Sequence, residues 1–211
     1  MKLGISLIGI SHLVHDQRWP VSRSYTTCFE NFYNELYNPL EKRFNITNFT
    51  TTYFSGKEKE IIETYKPKSS LFLTMEGSHQ IKTFIKAIDL VEKENLDYHI
   101  FTRFDIFFKK DKIKSLSIDL NKFNFLCKEK GYWDSHNFVN DCFYVFPSRF
   151  IPQLKRACIN LINEPPRPGL MDMHGLYKFL HNDESVRYSL HFMTDKHHLS
   201  SENEIYSLVR L

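Results

Sequence analysis

The feature of this 211-residue sequence that most restricts its fold is a mostly apolar run near its start, over residues 3–10. A strand with one solvent-exposed face alternates apolar and polar residues, whereas a strand that is buried on both faces is apolar nearly throughout. The run therefore predicts a strand of a parallel sheet with helices on both faces. A polar, irregular stretch follows it, and loops so rich in functional side chains often bind ligands.

Strand-like and helix-like patterns alternate through the first half of the chain. Residues 29–40 place aromatic and leucine side chains on one helical face, with a kink or an end expected at Pro39. Residues 81–91 form the clearest amphipathic helix. Strands are predicted over residues 48–54, 98–108, 124–127, 138–146 and 188–193. We therefore predict a single α/β domain over residues 1–211, with a mixed, mainly parallel central sheet flanked by helices.

The composition excludes several classes of protein. The 28 basic and 25 acidic residues leave a net charge of +3, too weak for the basic field of a nucleic-acid-binding protein. The 19 Phe and 11 Tyr residues supply core material, which excludes a mainly disordered chain. No apolar run approaches the roughly 18–20 residues of a membrane span. The four cysteines are far apart, which favours reduced, buried thiols and a cytoplasmic protein.

The predicted strand over residues 98–108 carries the most informative polar pair, Arg103 and Asp105. Side chains two residues apart point to the same side of an extended strand, and ligands of such sheets bind beyond the carboxyl ends of the strands. A carboxylate and a guanidinium in an aromatic strand cost free energy unless they are paired or used. Either the two form an ion pair, or Asp105 holds a divalent metal and Arg103 stabilises phosphate oxygens.

This part of the chain resembles the GT-A glycosyltransferase fold. Residues 96–105, LDYHIFTRFD, are similar to a Tyr-Asp-Tyr-x-Ile-x-Thr-Arg-x-Asp pattern of small bacterial and viral glycan-building enzymes. Members of this family carry an Asp-x-Asp at this place, where carboxylate and metal hold a nucleotide-sugar diphosphate. Here Arg103 replaces the first Asp, which leaves Asp105 as the matching metal ligand. The resemblance implies a single-domain GT-A-like sandwich that uses Mn²⁺ or Mg²⁺.

The resemblance extends to the N-terminus, where a strand, a polar loop with arginines and a long amphipathic helix look like the nucleotide-binding end of that group. Backbone groups after the first strand would meet the base and ribose, and an arginine of the loop, Arg18 or Arg23, would reach a phosphate. The resemblance thus implies donor contacts at Gly9, Ile10, Ser11, Arg18, Gln80, Thr83 and Arg103.

Three candidate catalytic residues and a second metal ligand follow from the same resemblance. Asp141 would act as a base for the acceptor hydroxyl or bind sugar hydroxyls, and it can also be a plain polar residue at a strand start. Asp172 and His174 begin a helix where relatives place a residue facing the donor sugar or the acceptor. His174 also shares an apolar face with Tyr177, as a core histidine does. His191, at a late strand end, would be a metal ligand.

These predictions describe a transferase that moves a hexose or deoxyhexose from a nucleotide donor, with UDP-sugars favoured, to a hydroxyl of a glycan or glycoprotein acceptor. A metal on Asp105, together with Arg103, would stabilise the leaving diphosphate. Proton transfer to Asp141 fits inversion, and transfer to a phosphate oxygen fits retention. Two alternatives stay open: a non-catalytic module that binds sugar nucleotides or glycans, and a nucleotidyltransferase that releases pyrophosphate.

Overall fold

A computed structural model of the chain describes residues 1–13, 23–76, 79–129, 133–164, 173–195 and 204–209. The strands are β1 (Lys2–Ile8), β2 (His12–Leu13), β3 (Arg23–Ser24), β4 (Asn45–Tyr53), β5 (Ser69–Leu73), β6 (Tyr98–Arg103), β7 (Ile106–Phe108), β8 (Phe123–Phe125), β9 (Phe143–Pro147), β10 (Leu190–Phe192) and β11 (Tyr206–Leu208). The helices are α1 (Tyr25–Asn31), a π-helix (Phe32–Tyr37), α2 (Asn38–Glu41), α3 (Glu58–Tyr65), α4 (Gln80–Val91), α5 (Trp133–His136), α6 (Ile151–Asn163) and α7 (Leu176–Asn182).

A seven-stranded sheet in the order β10-β8-β9-β6-β1-β4-β5 organises the chain. Its neighbouring strands are parallel, except that β9 runs antiparallel to both β6 and β8. This arrangement confirms the predicted α/β class with a mixed, mainly parallel sheet. From β1 the chain first builds outward to β4 and β5, then returns to place β6 on the other side of β1. The order of strands therefore reverses between β1 and β6, which makes this the switch point of the sheet.

Helices cover both faces of the sheet, because successive residues of the central strands are apolar and point to opposite sides. On one face, Phe101 of β6 packs in a cluster with Phe84 of α4 and with residues of α6 and α7. On the other face, Ile100 of β6 packs with Phe32 of the π-helix and with residues of α1 and α3. The apolar start of the chain is explained in the same way, since residues 3–8 of β1 are all buried.

One local feature differs from the sequence prediction, and a second agrees with it closely. The strand predicted over residues 98–108 is broken by a turn at Phe104 and Asp105, because β7 leaves the main sheet to pair with β11. The end predicted at Pro39 is close to the observed one, since the helical segment of the π-helix and α2 ends at Glu41, two residues beyond the proline. Pro39 stands in the first turn of α2, where a missing N–H costs little. Among the described residues, no helix is both long and apolar enough to cross a membrane.

Candidate functional site

The carboxyl ends of β1 and β6 lie side by side at the switch point, where Ile8 is in register with Arg103. After β1 the chain turns at Gly9, whose φ of +98° is a conformation that glycine adopts without strain. The Gly9 amide donates to the Thr51 carbonyl at 3.0 Å. Ser11 is buried, and its amide donates to Thr52 Oγ1 at 3.2 Å. Gly9, Ile10 and Ser11 therefore lie at this edge, and their contact with a nucleotide stays a prediction.

Arg103 and Asp105 form an ion pair at the end of β6. Arg103 Nε donates to Asp105 Oδ1 at 2.8 Å, and NH2 donates to Oδ2 at 2.8 Å. Such a bidentate pair is the strongest geometry of an arginine–carboxylate interaction. Phe104 between them is buried in the core, and Asp105 is buried as well, at 5% exposed. The Asp105 carbonyl accepts from the Val209 amide at 2.8 Å, which anchors the turn.

Asp141 brings a second carboxylate to the same guanidinium, since Arg103 NH1 donates to Asp141 Oδ2 at 3.3 Å. Gln80 Nε2, at the start of α4, donates to the same oxygen, and Cys142 Sγ lies 3.3 Å from Oδ1. Burial alone would raise the pKa of Asp141, but the Arg103 charge holds that pKa well below its ordinary value, with help from the hydrogen bond of Gln80 and from the charge of His174 when that ring is protonated. Asp141 is therefore ionised at neutral pH.

The segment before Asp141 is itself fixed by a buried polar residue. Asn140 accepts from the Cys142 amide at 3.0 Å through its side-chain oxygen, and its Nδ2 donates to the Tyr206 hydroxyl at 2.8 Å. These bonds tie the turn before β9 to β11. Asp141 is thus held in place by contacts on both sides, rather than being a loose polar residue at a strand start.

His174 completes the polar cluster. Its Nδ1 lies 2.7 Å from the Val139 carbonyl oxygen, and because a carbonyl only accepts, this nitrogen carries a proton. Its Nε2 then faces Asp141 Oδ1 at 4.0 Å. Glu129 Oε2 lies 3.4 Å from Nδ1. With 23% of its side chain exposed and carboxylates near both ring nitrogens, His174 is part of the site and not a core histidine.

Other predicted residues are placed elsewhere or not described. Thr83 is buried, and its hydroxyl hydrogen-bonds to the Tyr53 hydroxyl inside the fold. His191 lies on β10, separated from β6 by β8 and β9, which is roughly 14 Å at the usual strand spacing. Its Nε2 donates to the Ser117 carbonyl at 2.8 Å. The structure therefore does not bring His191 to Asp105. Arg18 and Asp172 lie outside the described residues.

Two residues that contact the cluster, Glu129 and Cys142, were missed by the sequence analysis. Cys142 is adjacent to Asp141 in the sequence, so the contact between the two side chains could have been predicted. Glu129 enters only because the β-bridge between Lys128 and Val139 brings its segment against the strand start. No local pattern signals that pairing.

The expected divalent cation fits this cluster poorly. Both oxygens of Asp105 accept from Arg103, and Asp141 Oδ2 accepts from Arg103 and Gln80. A cation on these oxygens would lie beside the guanidinium, with repulsion between like charges in a mostly buried site. Over the part of the chain that the structure describes, no three His, Cys, Asp or Glu side chains are grouped to hold a metal ion. The use of Mn²⁺ or Mg²⁺ stays a prediction.

Comparison with known protein families and with curated proteins gave no match for this chain. Two geometric observations bear on the function. The first is the switch point between β1 and β6, and the second is the polar cluster of Arg103, Asp105, Asp141, Gln80 and His174 beside it.

Proposed function

We propose that this protein is a glycosyltransferase that moves a sugar from a nucleotide-sugar donor to a hydroxyl group of a glycan acceptor. The observation that carries the proposal is the cluster of Arg103 with Asp105 and Asp141 at the switch point. In open α/β sheets, ligands bind in the crevice outside the carboxyl ends of the strands at this point. The similarity of residues 96–105 to GT-A enzymes narrows the ligand class to nucleotide sugars, with UDP-sugars favoured.

Arg103 is held in a way that suits contact with a donor. Its three described hydrogen bonds use three of its five N–H groups, which leaves one on NH1 and one on NH2. The trio offers carboxylate oxygens that accept from sugar hydroxyls and two remaining N–H donors on Arg103. In the proposal, hydroxyls of the donor sugar bind Asp105 and Asp141, and the outer N–H groups of Arg103 face the oxygen that links sugar to diphosphate. Electrostatic stabilisation of that leaving oxygen is supplied by Arg103.

His174 is the better candidate for the base. A carboxyl whose pKa is held as low as that of Asp141 binds protons weakly and makes a poor general base. In its neutral form, with the proton on Nδ1, His174 offers the lone pair of Nε2. This nitrogen takes the proton of the acceptor hydroxyl as the oxygen attacks the anomeric carbon and the bond to the diphosphate breaks. The nearby Asp141 carboxylate stabilises the resulting imidazolium, and the course is inverting.

The experiment is a thermal-shift panel of UDP, GDP, CMP and dTDP, each with Mn²⁺, Mg²⁺ or EDTA, followed by turnover of the matching nucleotide sugar. A ligand at about 100 times its Kd adds roughly 2.7 kcal/mol to the stability of the native state. We expect a raised melting temperature with UDP, in EDTA as well as with metal. No shift with any nucleotide overturns the proposal, and a shift that requires metal overturns the role given to Arg103.

Site variants test the assignment of roles. We expect His174→Gln to keep nucleotide binding and to lose about 10²–10⁴-fold in turnover, as removal of a general base does. Asp141→Asn should weaken binding of the sugar donor more than binding of the free nucleotide. Asp89→Asn, which changes a carboxylate further along α4, is the matched control and should alter neither. Equal turnover of His174→Gln and the parent would remove His174 from the mechanism.

The same geometry also favours a second candidate, a non-catalytic module that binds sugar nucleotides. Both carboxylates are paired with Arg103 within the protein, as in a purely structural ion-pair network. Such a module would bind the donor without releasing nucleoside diphosphate. Measuring release of nucleoside diphosphate in the presence of acceptor glycans separates the two candidates.

A further inference from the structure

A cavity of about 530 Å³ lies away from the Arg103 cluster, between α1, the π-helix, α3 and the first half of β4. Asn48, one of its lining residues, is three positions before Thr51, which is level with Ile8 and hence with Arg103 two strands away. These steps correspond to roughly 10 Å along the strand and roughly 10 Å across the sheet. The cavity is thus a separate place, and its size is that of a small-molecule site.

One wall of the cavity is a row of half-buried aromatic rings. Phe29, Tyr33 and Tyr37 line it, with ring centroids 4.9 Å apart for the first pair and 5.1 Å for the second. Tyr33 and Tyr37 belong to the six-residue π-helix, a rare conformation that occurs often at functional sites. Burial raises the pKa of Tyr33, so its phenol adds no negative charge to the wall at pH 7. Together with Ile46 of β4, the row offers an apolar surface that suits a flat aromatic ring.

The charged side chains at the rim leave one positive charge unbalanced. Glu63, Lys66 and Lys68 line the cavity. Glu63 lies 3.8 Å from the ammonium group of Lys59, and Lys68 is paired with Glu94. Among the described residues, Lys66 has no such carboxylate partner. The cavity therefore carries the charge of Lys66 at its rim.

The backbone fixes the position of Lys66 at this rim. Lys66 directly follows the last residue of α3 with a φ of +44°, and its amide donates to the Ile62 carbonyl at 2.9 Å. This left-handed conformation ends the helix, and Gly and Asn are the residues that most often take it. Lys66 is exposed, so its ammonium group is accessible to a ligand that enters the cavity from solvent.

The unbalanced charge and the aromatic wall together select the chemistry of the ligand. An anion is attracted by the charge of Lys66, whereas a neutral ring compound of the same shape is not. A nucleoside diphosphate carries several negative charges, and a single cation beside Glu63 leaves most of them without a partner. A ring that carries one carboxylate group matches both the wall and the charge.

We propose that this cavity binds a small aromatic carboxylate, with its ring packed against Tyr33 and Tyr37 and its carboxylate group directed to Lys66. The inference does not rest on the proposed transferase activity, because its residues are separate from the Arg103 cluster and its ligand contains no nucleotide. A carboxylate in the cavity and a donor at the switch point can be bound at the same time.

The test is a titration of ¹⁵N-labelled protein at pH 7, followed by two-dimensional NMR. The probes are benzoate, phenylacetate and indole-3-acetate, the neutral amide of each, and UDP. We expect at least one carboxylate to shift the amide signals of Thr47, Thr64 and Lys66, which line the cavity. Its amide should bind about fivefold more weakly, as the loss of one exposed ion pair predicts. Because NMR reports the location of binding, failure here and failure of nucleotide binding at Gly9 and Arg103 are distinguishable.

Variants make the test specific. Lys66→Asn removes the charge and keeps a residue that tolerates the left-handed conformation, so it should weaken carboxylate binding by about fivefold and leave amide binding unchanged. Lys66→Arg keeps the charge and should retain the affinity of the parent. Lys82→Gln, which removes an exposed lysine of α4 on the other face of the sheet, is the matched control and should change nothing. Thr64→Trp, which fills the cavity from α3 while leaving the aromatic row intact, should abolish binding.

The proposal is overturned if no carboxylate shifts these signals up to its solubility limit, or if UDP shifts them at a lower concentration than any carboxylate does. It is also overturned if the amide binds as tightly as its carboxylate, if Lys66→Asn keeps the affinity of the parent, or if binding survives in Thr64→Trp.

Discussion

Arg103 donates two parallel hydrogen bonds of 2.8 Å each to Asp105, at the point where β6 ends. The same guanidinium reaches Asp141, so one cation serves two carboxylates whose side chains are only 5% and 7% exposed. Each carboxylate costs free energy to bury, and the shared cation offsets that cost. The polar cluster therefore behaves as one unit in stability as well as in ligand binding.

Removal of the shared cation should destabilise the fold strongly. Arg103→Ala leaves two buried carboxylates without their cation, and breaking such a pair typically costs about 3–5 kcal/mol. We expect a lower urea midpoint at pH 7 by circular dichroism. Arg43→Ala, an exposed arginine outside the cluster, is the control and should stay within about 0.5 kcal/mol of the parent.

The pH dependence of that loss has a definite sign. In the parent, the depressed pKa of Asp141 contributes stability that is present above pH ~4 and lost as the pH falls further. In Arg103→Ala, protonation relieves an unpaired buried charge, so acidification from pH 7 to 5 should narrow the gap to the parent. A gap that stays constant over this range would show that the two carboxylates are not held by Arg103.

Removal of the Arg103 charge, which should weaken the fold, should strengthen metal binding. Arg103→Gln removes the positive charge beside the oxygens of Asp105 and Asp141 while keeping an N–H donor. We therefore expect this variant to bind Mn²⁺ more tightly than the parent, as measured by loss of the free Mn²⁺ signal in electron paramagnetic resonance. If the parent binds Mn²⁺ as tightly as Arg103→Gln does, the cation and Arg103 do not compete for the same oxygens.

His99 should make the fold sensitive to mild acid. Burial lowers the pKa of His99 to about 4, against an ordinary value of about 6.5. The unfolded chain therefore takes up this proton first, so stability is complete above pH ~6.5 and falls by up to about 3 kcal/mol as the pH drops to 4. His99→Phe preserves the ring stacked on Phe146 and should remove this loss. His181→Gln, an exposed histidine, should leave the acid sensitivity of the parent intact.

Gly9 and Gly56 offer a matched pair for testing the loop after β1. Both have positive φ, +98° and +77°, and a Cβ at either would meet no atom within 4 Å. Alanine at either position should cost about 1–2 kcal/mol through backbone strain alone. We expect Gly9→Ala, and not Gly56→Ala, to weaken UDP binding in calorimetry as well. Equal nucleotide affinity in both variants would place the nucleotide away from Gly9.

Much of the fold was predictable because its causes are local. The apolar run of β1 requires cover on both faces, and the helical spacing of Phe84 and Ile88 identifies α4 from sequence alone. The ion pair of Arg103 with Asp105 was one of the two predicted alternatives, although its geometry comes from the turn at Phe104 and Asp105 and not from an extended strand. That turn was not predicted, because it depends on the pairing of β7 with the distant β11.

What the sequence determined by itself was thus the class of the fold and the candidate polar residues, because period, spacing and burial cost act over a few neighbouring positions. The tertiary structure alone decided which of them meet. Gln80 and Asp141 are 61 positions apart and touch because the antiparallel β9 delivers Asp141 beside β6, below the first turn of α4. His191 looked equally suited to the site, but β8 and β9 stand between its strand and β6. Strand order is set by packing over the whole chain, and so it cannot be read from any local pattern.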